Sequence, residues 1–176
     1  MRQALVVAAT PTLLLSEYAD NIQAARALLE EYLRLADVWE PLGGVPVRLP
    51  ASLEREITAF PGDAVPPQGD VILGVAASGN VVAAGHVVPV EPLVCEFKRL
   101  YVRPNDRREG IARHVAEAMI GRARALGYRR AVLDVMPQRA AAVALWARVG
   151  FRRCPPYRAY PFPMEFMGLD LAPCRR

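Results

Sequence analysis

Lysine is almost missing from this 176-residue chain: one stands against twenty-one arginines, beside two histidines and three cysteines. The cysteines, Cys95, Cys154 and Cys174, form an odd set without metal-ligand spacing. Neither a disulfide framework nor a bound metal is therefore expected, and a reducing cytoplasm is the expected compartment. No apolar run reaches the length of about 18 residues that a membrane-crossing helix needs. Residues 1–15 are apolar, but their one basic residue is Arg2 and Thr10-Pro11 breaks the run. A strand and loop are read there rather than a secretion signal. The commonest phosphate-binding signatures are missing too. A nucleotide P-loop needs Lys and then Ser or Thr after its last glycine, and a dinucleotide fingerprint needs three spaced glycines; neither occurs. No repeat, low-complexity tract, nucleic-acid motif or break in composition is seen. One domain over 1–176 is expected, with nucleic acid ranked last among partners.

What is present is unevenly charged. Residues 1–96 carry five basic and twelve acidic side chains, whereas residues 97–176 carry seventeen and six. A basic half suits a polyanion such as a phosphate-bearing cofactor, and an acidic half suits a cationic amine. The periodicities predict a strand over 4–9 and a helix from Asp20 or Asn21 to about Ala36. A shorter helix is predicted from Ser52 to about Ala59, ended by Pro61-Gly62. Val71–Ala77 and Val81–Val88 flank Ser78-Gly79-Asn80, a hairpin signal. Then follow a strand over 96–102, a helix over 110–126, a strand over 131–135, a helix over 140–149 and closing strands at 151–153 and 165–171. The pattern is α+β: a mixed, mostly antiparallel sheet with helices on both faces.

Residues 95–126 organise the rest. Cys95 to Val102 alternates as a strand and is closed by Pro104; Ile111, Val115, Met119 and Leu126 share a helix face. The polar loop between them aims backbone N–H groups, aided by the helix dipole, at one point that suits an anion. Gly110 lets a ligand come close to the backbone, and small Ala112 leaves the next turn uncluttered.

The pattern Arg107-x-x-Gly110-x-Ala112, after Phe97-Lys98-Arg99-Leu100-Tyr101-Val102, resembles the acetyl-CoA signature of the GNAT N-acetyltransferase superfamily, Arg/Gln-x-x-Gly-x-Gly/Ala. The resemblance continues through Ala125-Leu126-Gly127-Tyr128, Leu133-Asp134-Val135 and Ala144-Leu145-Trp146-x-x-x-Gly150-Phe151, covering roughly residues 70–171. Phe60-Pro61-Gly62-Asp63 and the Pro-Tyr after the last helix are similar to a small bacterial branch of unassigned substrate. The resemblance implies a GNAT-like acyl-CoA N-acyltransferase fold and acetyl-CoA as cosubstrate. It further implies direct transfer to a primary amine, with helices within 20–60 forming part of the acceptor site. A homodimer is compatible with it. A CoA-binding module without transferase activity is the alternative.

By the same resemblance, Leu100, Tyr101 and Val102 hydrogen-bond the pantetheine arm through their main chain. The strand splays from the next one, and the Val102 N–H or a neighbour polarises the thioester oxygen. The segment Arg107, Arg108, Glu109, Gly110, Ile111, Ala112 and Arg113 holds the pyrophosphate, mostly through amides. Glu96, eleven residues before Arg107, stands at the offset of the base glutamate in the histone-acetylating branch. Set between apolar Cys95 and Phe97, it suits proton removal near neutral pH; the plainer reading is an ion pair with Lys98 or an arginine on the sheet surface. The tyrosine that often serves as acid in the last helix is replaced by Trp146, whose indole has no titrating proton and is expected to line the CoA slot. Tyr157, or else Tyr160, takes the acid's place, unless the thiolate leaves unaided. Arg139 or Gln138 fills a position often held by a CoA-contacting Asn. Glu54 and Glu56, with Tyr32, border the acceptor pocket on this view. His86 reads as a hydrogen-bonded sheet residue, His114 as solvent-facing, Asp134 as near the slot or anchoring its strand end, and Cys95 and Cys154 as small buried apolar groups.

Overall fold

The computed structural model describes residues 14–16 (backbone only), 21–35, 43 and 49–171. The strand expected at 4–9, the Asp20 cap, most of the loop after Trp39 and Cys174 lie outside the described residues. The chain order is β1 (Leu14–Ser16), α1 (Ile22–Leu33), α2 (Ala51–Thr58), β2 (Asp70–Val75), β3 (Val81–Glu91) and β4 (Val94–Val102). There follow α3 (Ile111–Ala125), β5 (Arg130–Val135), α4 (Ala140–Arg148), β6 (Arg152–Arg153) and β7 (Glu165–Asp170). The strands form a seven-stranded sheet in the order β1-β2-β3-β4-β5-β7-β6. Every neighbouring pair is antiparallel except β4 and β5. The expected α+β architecture and its mixed sheet are what the chain forms.

Two cores flank the sheet. Cys95, Phe97 and Val102 of β4 join Val115, Met119 and Ile120 of α3 on one side. Leu28, Leu29 and Leu33 of α1 meet Leu73 of β2 and Tyr101 of β4 on the other. Helix α3 lies so close to the sheet that a Cβ at Gly85 of β3 would come within 2.5 Å of Met119 Sδ. Only glycine lets that helix pack there undisturbed.

Strand β4 does not alternate through its whole length. Ala84 pairs with Tyr101 but His86 pairs with Lys98, so β4 holds one residue more than β3 across this stretch. The extra residue marks a β-bulge at Arg99, whose φ is +56°. The bulge resets which face each side chain takes. Leu100 and Val102 stay with the α3 core, while Arg99 reaches to α2, where Nε and Nη2 donate to the two Glu56 oxygens at 2.8 and 2.6 Å. One strand turn further, Arg103 grips Glu31 of α1, with Nη2 2.6 Å from Oε1. Both N-terminal helices are thus tied by ion pairs to the functional strand. Arg99 and Glu56 are the more enclosed pair, which makes theirs the stronger tie.

Candidate active site

Strands β4 and β5 pair only at Val94–Arg130, Cys95–Ala131 and Glu96–Val132. Beyond that point β4 continues to Val102 and β5 to Val135 without bonding each other. The sheet is therefore open between them, as the splay expected from sequence requires. Arg103 N–H donates to Val82 O at 2.9 Å, which marks that position as hydrogen-bonded and the adjacent Ala83–Val102 pair as the non-bonded kind. The Val102 N–H and C=O consequently turn away from β3, toward the opening. Its carbonyl accepts Arg107 Nε at 3.0 Å.

Past Val102 the chain makes a short 3-10 turn, Pro104–Asp106, and then reverses hand twice: Arg108 has φ +72° and Gly110 φ +77°. Such a sequence of conformations points successive N–H groups inward as an anion-binding concavity. Helix α3 begins at Ile111, and no side chain caps it. The N–H groups of Arg113 and His114 bond Gly110 O; those of Ile111 and Ala112, in the first turn, have no intrahelical acceptor. Arg107, Arg108, Glu109 and Gly110 are exposed. The Arg107 side chain bends back onto the strand end, its guanidinium carbon 6.0 Å from the Tyr101 ring centre. Arg113 pairs with Glu117 at 2.8 Å. The concavity is thus lined by main chain, with the Arg107 and Arg113 side chains engaged at its edge.

At the crotch of the splay sits Glu96, 3% exposed. Tyr157 Oη donates to its Oε1 at 2.8 Å, and Arg158 Nη2 donates to its Oε2 at 2.7 Å. Asp134, two residues past Val132 on β5, accepts Tyr160 Oη at 2.7 Å. Its Oδ2 also lies 3.8 Å from Arg158 Nε. The segment between β6 and β7 therefore lays two tyrosines and an arginine over two carboxylates. Phe166 of β7 supports both rings, with centroids 5.3 Å from Tyr157 and 6.3 Å from Tyr160. Burial, and then the Glu96 and Asp134 charges, hold the Tyr157 hydroxyl far above its ordinary value of 10. Burial and the bond to Asp134 push Tyr160 up to about 12. Burial works against the charge of Arg158, yet the Glu96 carboxylate keeps that guanidinium firmly protonated.

Several residues stand elsewhere than the sequence suggested. Glu96 has its arginine partner, but the carboxylate is buried in the splay, with a half-buried Arg158 over it, rather than on the sheet surface. Trp146 is 6% exposed and packs against Phe97 and Phe151 at 5.9 and 5.2 Å, which puts its indole in the core beneath the opening. Arg139 Nη1 donates to Tyr32 Oη of α1 at 2.9 Å, bridging the β5–α4 connection to the opposite layer. His86 is buried, but its imidazole has no hydrogen-bond partner among the described residues; it lies tilted against the Phe60 ring, centroids 5.5 Å apart. Cys154 is half-buried rather than enclosed. Cys95 is buried, its thiol pushed by desolvation up to about 12, and so is inert. His114 is exposed, as read. Arg158 escaped notice in the sequence altogether; the signal available was its position between two tyrosines, in a loop already suspected for Tyr157. Among the described residues no group of three or more His, Cys, Asp or Glu is placed to hold a metal ion, and no helix is long and apolar enough to cross a membrane.

The sheet is thus open between two parallel strands, beside a loop that turns main-chain N–H groups to one point at a helix start. The Acetyltransferase (GNAT) family profile matches residues 35–151, and the chain belongs to that family. It is similar to an uncharacterized N-acetyltransferase of Schizosaccharomyces pombe, 32% identical over 109 residues that make up 61% of this chain and 67% of that protein. Among solved structures, a GNAT-family acetyltransferase from Staphylococcus aureus has a TM-score of 0.72 at 13% identity, covering 91% of this chain and 99% of that one. The structure of yncA from Salmonella typhimurium, held with its cofactor acetyl-CoA, has a TM-score of 0.65 at 18% identity, covering 94% of this chain and 96% of that one. At those identities the structural likeness establishes the fold. The chain is an acyltransferase by family membership.

Proposed function

We propose that the protein moves an acetyl group from acetyl-CoA to a primary amine by direct transfer. The observation that carries this reading is the end of β4–β5 pairing at Glu96–Val132, which puts a buried carboxylate at the root of an open slot. The pantetheine arm lies along Leu100 to Val102, whose main chain it continues as a strand would. The Val102 N–H polarises the thioester oxygen, a donor worth about 3 kcal/mol of transition-state stabilisation. The diphosphate rests on the amides from Arg108 to Ala112. Several charge-assisted hydrogen bonds of about 1.5–3 kcal/mol each support micromolar affinity.

Glu96 takes a proton from the ammonium, and the neutral amine attacks the thioester carbon. The C–N bond forms as the C–S bond breaks, and the thiolate leaves. Tyr157 serves both halves of the exchange. While Glu96 is ionised the phenol donates to it; once Glu96 is protonated the bond reverses, and the phenolic proton is released toward sulfur. The proton still on the new amide nitrogen goes to solvent. Of the tyrosines bonded to a carboxylate, Tyr157 is the one on Glu96, which makes it the residue best matched to the acid that Trp146 cannot supply.

The test is thiol release: acetyl-CoA with a panel of amines, amino acids and peptides, read as free CoA and as acceptor mass. The second reading is a CoA-binding module that transfers nothing. The ion pair that already occupies Glu96, with Arg158 at 2.7 Å, is the observation in its favour. Acetyl-CoA binding without CoA release across the whole panel would select that reading.

A further inference from the structure

Between α2, the segment that follows it, β3 and β4 lies a cleft of about 320 Å³, lined among others by Glu56, Phe60, Asp63, His86, Val88 and Lys98. Lys98 is the single lysine of the chain. It is half-buried and makes no hydrogen bond or ion pair within 4 Å among the described residues, while both oxygens of the neighbouring Glu56 are taken by Arg99. His86 is 5% exposed, and its ring nitrogens are equally without partners among the described residues. An imidazole that makes no hydrogen bond among the described residues, beside an ammonium held only by the field of Glu56, is a site with hydrogen bonds to give. Burial, with Arg99 nearby, lowers His86 to about 4, so at neutral pH the ring is an uncharged donor and acceptor. One ammonium and one neutral imidazole match a single negative charge with two oxygens better than a doubly charged phosphate. Asp63 at the mouth is exposed and screened by water.

The cleft adjoins the transfer site. His86 pairs with Lys98 and Val88 with Glu96 across the β3–β4 ladder. Cys95 and Phe97 point into the α3 core, which turns Glu96 and Lys98 to the opposite face together. Two residues apart on a strand, their Cα atoms are about 7 Å apart. We propose that Lys98 and His86 bind the carboxylate of the acceptor, and that the acceptor is a small amino acid whose free amine and free carboxylate lie a few bonds apart. This rests on the transferase reading for the amine end, but the carboxylate site can be measured without turnover.

The single lysine makes the measurement direct. Protein labelled with ε-13C lysine gives one signal, to be followed in the presence of CoA against each common L-amino acid and against its decarboxylated amine. The expected result is a saturable shift with one or a few amino acids at millimolar concentration and none with the matching amines. In kinetics, Lys98→Met is expected to raise the KM for those amino acids at least about tenfold while leaving that for the amines unchanged; His86→Leu is expected to raise it by a smaller factor. A Lys98 signal that stays still against every amino acid, or moves equally with the amines, overturns the proposal. Equal turnover of amino acid and amine by the wild type and by Lys98→Met does so too, while leaving the transferase reading intact. A saturable shift without any CoA release upholds the carboxylate site and removes the transferase reading instead.

Discussion

The Tyr157 hydroxyl donates to Glu96 Oε1 over 2.8 Å at the point where β4 and β5 cease to pair. Those two residues are 61 positions apart in sequence, and the bond joins the floor of the opening to the loop that covers it. A carboxylate so placed can take a proton only through, or in exchange with, the groups that lie on it. On the transfer proposed above, the proton path would be part of the fold and not an accident of a mobile side chain.

Glu96→Gln keeps the shape and the Tyr157 contact but removes the base. Turnover is expected to fall by at least about a hundredfold while acetyl-CoA affinity is retained. The deficit should shrink as pH rises, because the amine then arrives already neutral. Steady-state rates across pH, alongside calorimetric binding of acetyl-CoA, check both halves; unchanged turnover would move the base elsewhere.

Tyr157→Phe removes the relay. A loss of about tenfold to a hundredfold in kcat is expected, with the KM for acetyl-CoA little altered. Because burial and Glu96 raise the folded-state pKa, the phenol stays protonated through pH 10. Its contribution to stability is whole below about pH 10 and is lost as pH climbs beyond it. Phenolate absorbance during an alkaline titration should accordingly be the same for wild type and variant near pH 10. A tyrosine signal near pH 10 that vanishes in the variant would refute the assignment.

His86 works in the opposite sense. Its pKa falls from 6.5 to about 4 on folding, so the unfolded chain binds the proton first as pH drops. Stability from this group is complete above about pH 6.5 and fades as pH falls toward 4, by up to about 3 kcal/mol. His86→Phe should flatten that part of the plot of unfolding free energy against pH, compared in urea melts. A wild-type curve with no slope between pH 6.5 and 4 would contradict it.

How much of this could be read beforehand follows from how local each feature is. The left-handed turn at the start of α3 was legible because Arg107-x-x-Gly110-x-Ala112 is contiguous and Gly110 announces it. The base candidate was legible as a carboxylate between Cys95 and Phe97. The bulge at Arg99 was not, since arginine gives no hint of a positive φ, and it is the tertiary pull of Glu56 and the α3 core that holds it there. The clamp of Arg158 on Glu96 was equally hidden, because it depends on how the β6–β7 loop folds back across 62 positions. Trp146 illustrates the reverse: a residue read for the slot was claimed by the core through Phe97 and Phe151.

Thermal unfolding with and without acetyl-CoA tests the central claim most directly. At about a hundredfold excess over its dissociation constant, a ligand of the folded state adds about 2.7 kcal/mol. For a chain of this size that corresponds to a rise in Tm of roughly 5–10 °C. The rise should be much reduced in Gly110→Val, whose side chain strains the left-handed turn at φ +77° and so spoils the loop. A wild-type Tm that does not move at millimolar acetyl-CoA would contradict the account.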